Sequence, residues 1–234
     1  MTEGTAEATV RVLLVDDHQM FSDAIEILLR GVPGIEIVGS VNTGEDAIAA
    51  AEAGCPDVVL MDIHLPGIDG IEATRFIKER CPDSHVVVIT ALQQHELAAR
   101  AVQAGASGFV PKTRAADDLL DVVRAAAAGE MVLPSSDIGA VLRALERTRE
   151  VRTTEQVLVE QLTPREREVL QGFADGKSND EVASTLFISP STVQTHIRNI
   201  LAKLGVRSKL EAVMFALRSG VIRVSSERSN VEGE

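Results

Sequence analysis

The first half of the chain repeats a pattern of short, β-branched apolar runs separated by amphipathic stretches. Such runs are typical of strands buried on both faces of a parallel sheet, and the stretches between them have helical spacing. The predicted strands are Val10–Val15, Ile35–Val38, Val58–Met61, Val86–Thr90 and Gly108–Val110. The predicted helices are Gln19–Arg30, Gly44–Ala53, Gly70–Arg80, His95–Ala104 and Ala115–Ala128. This strict alternation predicts an α/β fold with a doubly wound, five-stranded parallel sheet.

The pattern changes after residue 133. Residues 134–160 are polar, but apolar residues at helical spacing predict one helix within this linker, starting near Pro134-Ser135-Ser136, where serine can cap it. The apolar positions are Ile138, Val141, Leu142 and Leu145. We therefore expect four segments, which are a first domain at 1–133, the helical linker at 134–160, a second domain at 161–224 and a flexible tail at 225–234.

Only helical patterns follow the linker, so an all-α domain of four helices is predicted. The helices are Pro164–Phe173, Asp180–Leu186, Ser191–Leu204 and Lys209–Ser219. Thr163 and Glu166 form a capping-box pattern, and Ser189 precedes a proline at the first helical position. Gly205 and Gly220 are placed to end the last two helices. A short helix, a tight turn and a capped second helix are typical of a helix-turn-helix.

Charge is distributed unevenly over these segments. The whole chain has a net charge of −12, which by itself argues against a nucleic-acid partner. However, residues 1–133 carry 9 basic and 21 acidic residues, whereas residues 162–224 carry 9 basic and 6 acidic residues. Only the second segment therefore has a charge that suits a phosphate backbone.

Three further features narrow the class of protein. The N-terminus lacks the basic and apolar regions of a signal peptide, and no apolar run is long enough to span a membrane, so we expect a cytoplasmic protein without a membrane partner. Cys55 and Cys81 show no metal-ligand spacing and are interpreted as reduced thiols. His18 and His64 are interpreted as solvent-facing rather than as ligands of a transition metal.

Carboxylates follow two of the predicted strands. Asp16 and Asp17 end the first strand and Asp62 the third, so the three should meet at one edge of the sheet. Packed carboxylates require a cation, and an all-oxygen cluster suits Mg²⁺. A metal-held carboxylate can attack phosphorus, and Asp62 is the candidate nucleophile. Thr90 and Lys112, after the fourth and fifth strands, could bind phosphoryl oxygens.

The sequences VDDH, MDIHLPGIDG, VITA and GFVPK occur in the order and spacing of receiver domains of two-component response regulators. Residues 10–130 resemble that family, which implies a flavodoxin-like fold. The resemblance implies that Asp62 accepts a phosphoryl group from a sensor histidine kinase and that Asp16, Asp17, Asp62 and the backbone carbonyl of His64 hold Mg²⁺. It also implies that Thr90 and Phe109 change position on phosphorylation. One departure is Pro111-Lys112, where many receivers have Lys-Pro, often with a cis peptide bond.

The stretch from LTPREREVL to LRSGVI resembles the DNA-binding domain of the NarL/LuxR (FixJ) family almost throughout. The resemblance implies that the residues that approach base edges of double-stranded DNA are Gln194, Thr195 and Arg198. Those that lie near phosphates are Ser189, Thr192 and Lys203. It also implies a homodimer formed by the last helix, with RNA polymerase as a further candidate partner. Gln194 and Asp180 stand where the family often has lysine, so the preferred DNA sequence should differ from that of lysine-bearing relatives.

The leading hypothesis is a DNA-binding transcription factor controlled by phosphorylation, with only self-phosphorylation and self-dephosphorylation as chemistry. A phosphatase acting through an aspartyl phosphate is the second hypothesis, although Asp62-Ile63-His64 lacks the second aspartate that such enzymes use. The third is a DNA-binding protein whose receiver no longer accepts phosphate and responds to a partner. The complete acidic set argues against this third hypothesis.

Overall fold

The computed structural model describes residues 9–90, 95–133, 135–147 and 158–223. The described residues fall into two compact units, the first made chiefly of residues before 148 and the second chiefly of residues after it. Among these residues, no helix combines the length and apolarity needed to cross a bilayer. The predicted tail at 225–234 and the predicted serine cap near residue 134 lie outside what the structure describes.

The first unit is a five-stranded sheet flanked by helices. Its strands are β1 (Val10–Val15), β2 (Ile35–Val41), β3 (Val58–Asp62), β4 (His85–Thr90) and β5 (Gly108–Pro111). All neighbouring pairs are parallel, in the order β2-β1-β3-β4-β5. The helices are α1 (Gln19–Leu29), α2 (Gly44–Gly54), α3 (Gly70–Arg80), α4 (His95–Ala104), α5 (Lys112–Ala127) and α6 (Ser135–Arg147). The predicted doubly wound α/β fold is therefore confirmed.

Two apolar clusters cover the two faces of the sheet. Successive residues of a strand point to opposite faces, so Val12 and Leu14 join one cluster and Leu13 and Val15 join the other. Helices α1 and α5 contribute to the first cluster, and α2 and α3 contribute to the second. The helix predicted within the linker is α6, which packs against α4 and buries Ile138, Val141 and Leu145.

Two boundaries differ from the prediction by three residues, the end of β2, at Val41 rather than Val38, and the start of α5. The helix begins at Lys112 rather than Ala115, because Pro111 both ends β5 and serves as the residue before the first helical turn. Lys112 therefore leaves the sheet at the carboxyl edge of the strands. The described residues contain no cis peptide bond.

The cysteines are not the reduced thiols that we predicted, since Cys55 and Cys81 form a disulfide. Each cysteine follows the last residue of a helix, α2 for Cys55 and α3 for Cys81. These helices pack side by side on one face of the sheet, which brings the two Cα atoms to 5.5 Å. A separation of 26 residues in the chain carries no sign of this proximity, which depends on the tertiary packing of α2 against α3.

The second unit is helical, as predicted. Its helices are α7 (Pro164–Ala174), α8 (Asn179–Thr185), α9 (Pro190–Leu204) and α10 (Lys209–Arg218). The capping box of Thr163 and Glu166 is confirmed, and Ser189 caps α9 ahead of Pro190. A second capping box, at Ser178 and Glu181 before α8, was not predicted from the sequence. Helix α9 buries Val193, Ile197, Ile200 and Leu204 along one side and half-buries Leu201.

Candidate functional site

The predicted acidic cluster forms at the carboxyl edge of the sheet. Because β1 and β3 are neighbours, Asp16 and Asp17 after β1 lie beside Asp62 at the end of β3. One side-chain atom from each of these acids and from His18 lies within 4.8 Å of the others. Asp16 is 3% exposed and Asp62 is 2% exposed. The structure therefore brings together the three carboxylates that the sequence singled out.

Lys112 is the cation that the buried carboxylates face. Its Nζ atom lies 2.6 Å from Asp16 Oδ2 and 2.8 Å from Asp62 Oδ2. Burial disfavours the charged ammonium, but the hydrogen bonds and the charges of Asp16 and Asp62 outweigh that effect and raise the pKa of Lys112 above its ordinary value. The ammonium also lies 4.8 Å from the centre of the Phe21 ring, a cation–π distance. Lys112 thus stays charged beside the candidate nucleophile.

Backbone N–H groups orient the same carboxylates. The N–H of Ile63 donates to Asp62 Oδ1 at 2.7 Å, and the N–H of His18 donates to Asp16 Oδ1 at 2.8 Å. One oxygen of each buried carboxylate is held in this way, while the second oxygen of each faces Lys112. Such contacts to both oxygens restrict the rotation of Asp16 and Asp62 and point them toward one shared space.

Two neighbours of this cluster were not predicted from the sequence. His18 Nδ1 lies 2.7 Å from Asp17 Oδ1 and 3.3 Å from Asp16 Oδ1, although the ring is 66% exposed, as the solvent-facing interpretation required. Phe21, on the first turn of α1, supplies the ring that contacts Lys112. The adjacency of His18 to Asp16-Asp17 was a usable signal, whereas the contact of Phe21 depends on how α1 packs.

The remaining predicted residues of this unit differ in burial. Thr90 is fully buried at the end of β4, and Phe109 is 7% exposed on β5. The two strands pair directly, with Thr90 opposite Pro111 and Val88 opposite Phe109. His64 is exposed two residues after Asp62. Thr90 and Lys112 therefore leave neighbouring strands at the edge where Asp62 lies.

The donor set of the cluster suits a magnesium ion. Mg²⁺ prefers oxygen ligands, and Asp16, Asp17 and Asp62 offer carboxylate oxygens at one place. Two of the three are buried, and the single charge of Lys112 offsets only part of their charge, which favours a further cation. The coarse prediction of an acidic pocket that can hold a divalent cation is supported by this geometry.

In the second unit, α8 and α9 are joined by a tight turn that presents one face of α9. Thr195 and Arg198 are exposed there, and Gln194 is half-exposed. At the start of α9, Ser189 Oγ lies 2.8 Å from the hydroxyls of Ser191 and Thr192. Hydroxyls and N–H groups at a helix N-terminus favour an anion.

Lys203 has a structural partner that the sequence did not reveal. Its Nζ lies 2.9 Å from Glu166 Oε1 and 2.7 Å from Glu166 Oε2, and Glu166 is buried. Burial acts against the charged carboxylate, yet the hydrogen bonds from Lys203 and Thr163 lower the pKa of Glu166 below its ordinary value. This pair connects the capping box of α7 to the last turn of α9. The expected position of Lys203 near phosphates stays a prediction.

The fold and these two surfaces define a class of protein, in which an acidic receiver pocket and a helix-turn-helix share one chain. Residues 12–124 match the family described as the response regulator receiver domain. Residues 160–216 match the family described as bacterial regulatory proteins, luxR family. The chain belongs to the LuxR-family response regulators of two-component systems, which act as DNA-binding transcription regulators.

Relatives that match along nearly their whole length support this assignment. The chain is 38% identical over 213 residues to the transcriptional regulatory protein LiaR of Bacillus subtilis (strain 168), covering 91% of this chain and 99% of that protein. It is 37% identical over 215 residues to the response regulator protein VraR of Staphylococcus aureus (strain Mu3 / ATCC 700698), covering 92% and 100%.

Solved structures give the same picture. A LuxR-family two-component response regulator from Aurantimonas sp. SI85-9A1 is 32% identical with a TM-score of 0.52, covering 61% of this chain and 100% of that chain. The response regulator RcsB in its DNA complex is 25% identical with a TM-score of 0.51, covering 90% of this chain and 98% of that chain.

Proposed function

We propose that Asp62 accepts a phosphoryl group from a phosphohistidine of a sensor histidine kinase and that this controls DNA binding by the second unit. The observation that carries the proposal is the position of the Asp62 carboxylate, buried at a strand end with Oδ2 2.8 Å from the Lys112 ammonium. A second carboxylate, that of Asp16, faces the same ammonium at 2.6 Å.

In the transfer step, a carboxylate oxygen of Asp62 attacks phosphorus, the bond between phosphorus and the histidine nitrogen breaks, and an acyl phosphate forms. Lys112 pairs with a phosphoryl oxygen and so offsets part of the charge that arrives. Asp16, Asp17, Asp62 and the backbone carbonyl of His64 would hold Mg²⁺, which supplies positive charge for the phosphoryl oxygens. Water then attacks phosphorus, the bond to the Asp62 oxygen breaks, and the free carboxylate and inorganic phosphate are released, so the cycle includes self-dephosphorylation.

The phosphoryl group adds a charge of about −1.5 to −2 at the edge of the sheet, and new donors must compensate it. Thr90 ends β4, the strand beside that of Asp62, and its hydroxyl is the donor that we expect to move toward the phosphoryl group. Thr90 is fully buried, so its movement vacates space inside the protein. Phe109 on the paired strand β5 is the side chain that we expect to change rotamer in response.

The output is a change in promoter binding. Gln194, Thr195 and Arg198 on α9 would approach base edges in the major groove, where glutamine pairs with adenine and arginine with guanine. Ser189, Thr192 and Lys203 would lie near phosphates. Phosphorylation would favour a homodimer on a two-fold DNA site, with RNA polymerase as a further partner at the promoter.

The test uses a small phosphodonor in place of the unidentified kinase. Wild-type protein, Asp62→Ala and the control Asp57→Ala are incubated with acetyl phosphate and Mg²⁺, and the phosphorylated fraction is measured by gel mobility shift. Asp57 precedes the same strand at its opposite end. We expect phosphorylation of the wild type and of Asp57→Ala, and none of Asp62→Ala.

Each protein is then used to select duplexes from a random DNA library, with and without phosphodonor. Affinity that rises with phosphodonor in the wild type but not in Asp62→Ala supports the proposal. Equal responses of the two proteins would rule out control through Asp62. DNA binding without any phosphorylation would favour a receiver that responds to a partner instead.

A further inference from the structure

Three helices of the second unit end with the same pair of backbone hydrogen bonds. After α7, Gly176 N–H donates to the Phe173 carbonyl at 3.0 Å, and Lys177 N–H donates to the Gly172 carbonyl at 3.1 Å. After α10, Gly220 and Val221 repeat this pattern with the carbonyls of Leu217 and Ala216. The pattern needs a residue with positive φ, and glycine occupies that position in both cases, with φ of 79° and 75°.

Backbone conformation, rather than crowding, accounts for these two glycines. A Cβ atom at Gly176 or at Gly220 would meet no atom within 4 Å. A side chain would therefore fit in space at either position, but it would have to adopt a left-handed conformation that L-residues disfavour.

The end of α8 makes the same two hydrogen bonds with phenylalanine at the glycine position. Phe187 N–H donates to the Ser184 carbonyl at 3.3 Å, and Ile188 N–H donates to the Ala183 carbonyl at 3.0 Å. Phe187 has a φ of 54°. A non-glycine residue in this conformation is strained, and such strain is concentrated at functional positions.

Packing of the Phe187 ring within the protein does not offset this strain, because the residue is 95% exposed. No other large apolar side chain among the described residues of the second unit is exposed. An exposed aromatic residue held in a strained conformation that glycine would adopt freely indicates a contact outside the folded chain.

The surroundings of the ring identify the chemistry of its partner. Phe187 lies two residues before Ser189, whose Oγ lies 2.8 Å from two further hydroxyls at the start of α9. Residues 186–203 contain no Asp or Glu, so nothing in this segment repels a phosphate. One ring beside a cluster of hydroxyls matches a deoxyribose next to a phosphate better than the broad apolar surface of a protein partner.

We propose that the Phe187 ring packs against a deoxyribose of the DNA strand whose phosphate binds the start of α9. The contact is apolar and independent of base sequence. It rests on the proposed DNA-binding function and adds to it a residue outside the predicted DNA-contacting set.

The test compares full-length wild type with Phe187→Gly, Phe187→Ala and Phe187→Tyr. Thermal unfolding is measured for each, together with affinity for the duplex selected from the random library and for a mixed-sequence duplex. Phe187→Gly should unfold a few degrees higher, because glycine adopts positive φ without strain. It should bind both duplexes about tenfold more weakly, because about half of the apolar area of the phenylalanine side chain is no longer buried on binding.

The other variants separate the two effects. Phe187→Ala keeps the strained conformation without the ring, so it should lose the same affinity and gain no thermal stability. Phe187→Tyr keeps an aromatic ring and should restore affinity. The dependence of affinity on salt should be unchanged in all three, because no charge is removed.

Several outcomes would overturn the inference. If Phe187→Gly binds DNA as tightly as the wild type, the proposed contact does not exist, although the proposed function stands. A fall in the unfolding temperature of Phe187→Gly would make the ring structural. Loss of affinity for the selected duplex with none for the mixed-sequence duplex would assign the ring to base reading or to dimer formation. A wild type that binds neither duplex would end the proposed function, and this contact with it.

Discussion

The two units of the chain treat the charged side chains of their proposed sites in opposite ways. In the first unit, Asp16 and Asp62 are nearly inaccessible to solvent, and Lys112 lies within 2.8 Å of both. In the second unit, Thr195 and Arg198 stand on the exposed face of α9. The first site is therefore a packed cluster of charges, and the second is a solvated helical surface.

This difference decides how far function and stability are coupled. A buried carboxylate must be compensated by a cation, so a change at one member of the cluster leaves the others with uncompensated charge. An exposed side chain keeps its water when the protein folds, so its identity can change with little effect on folding. We expect substitutions in the receiver site to alter both phosphorylation and stability, and those of exposed α9 side chains such as Arg198 to alter DNA binding alone.

The largest effect is expected for Lys112→Met in the absence of Mg²⁺. Removing the ammonium leaves Asp16 and Asp62 buried beside one another, which should lower the free energy of unfolding by about 4 kcal/mol. Urea denaturation measures this loss, and added Mg²⁺ should recover part of it. Arg75→Ala, which removes an exposed pair with Glu72 in the same unit, is the control and should change little. A Lys112→Met protein as stable as the wild type would show that the cluster is solvated.

Most of the receiver site could be predicted because its residues sit at strand ends. Asp16, Asp62 and Lys112 each follow an apolar run, and parallel strands bring their carboxyl ends to one edge. The ring of Phe21 over Lys112 could not be predicted, since it depends on the packing of α1 rather than on a strand end. The bond between Cys55 and Cys81 escaped for the same reason.

The second unit shows the opposite limit of sequence reasoning. The caps of α7 and α9 were predicted because they are local patterns of neighbouring residues. The resemblance placed Lys203 near phosphates, but its partner Glu166 lies 37 residues away in the chain, on another helix. A basic residue in a DNA-binding domain can thus serve the fold, and only tertiary contacts distinguish the two roles.

The next largest effect is expected on reduction of the disulfide. The bond closes a chain segment that includes β3 and α3, and a cross-link of this length stabilises a fold by about 3 kcal/mol. A thiol reductant should therefore lower the unfolding temperature of the first unit by roughly 10 °C. Hydrogen exchange should show weaker protection in α2 and α3 and unchanged protection in α7. The unfolding temperature of Cys55→Ser should not change with reductant. If that of the wild type does not change either, the disulfide does not stabilise the fold.

A smaller effect on stability is expected for Glu166→Gln. Glu166 is a buried charge in the second unit, whose proposed DNA-contacting side chains are mostly exposed. Glutamine can still bond Thr163 but leaves Lys203 without its carboxylate, at a cost of about 2 kcal/mol at neutral pH. The lowered pKa of Glu166 means that its carboxylate stabilises the fold above the ordinary value of 4.5 and loses this effect as the pH falls below it.

The difference in unfolding free energy between wild type and Glu166→Gln should therefore shrink on acidification through that range. Glu181→Gln is a matched control, because Ser178 and Glu181 form the same capping box at an exposed position. Its effect on stability should be much smaller. If the two substitutions cost the same, the pair of Glu166 with Lys203 would add nothing to the capping box.

The smallest effect on stability is expected for Arg198→Ala, and it tests the other side of the comparison. Arg198 is exposed on α9, so its removal should change the free energy of unfolding by less than about 0.5 kcal/mol. Affinity for the selected duplex should nevertheless fall roughly 10- to 100-fold, with the preference for guanine relaxed at one position. Urea denaturation and repeated selection from the random library measure the two effects in the same protein. A loss of stability equal to that of Glu166→Gln would instead place Arg198 among the residues that stabilise the fold. An exposed side chain that only contacts DNA makes few contacts in the free protein that unfolding could break.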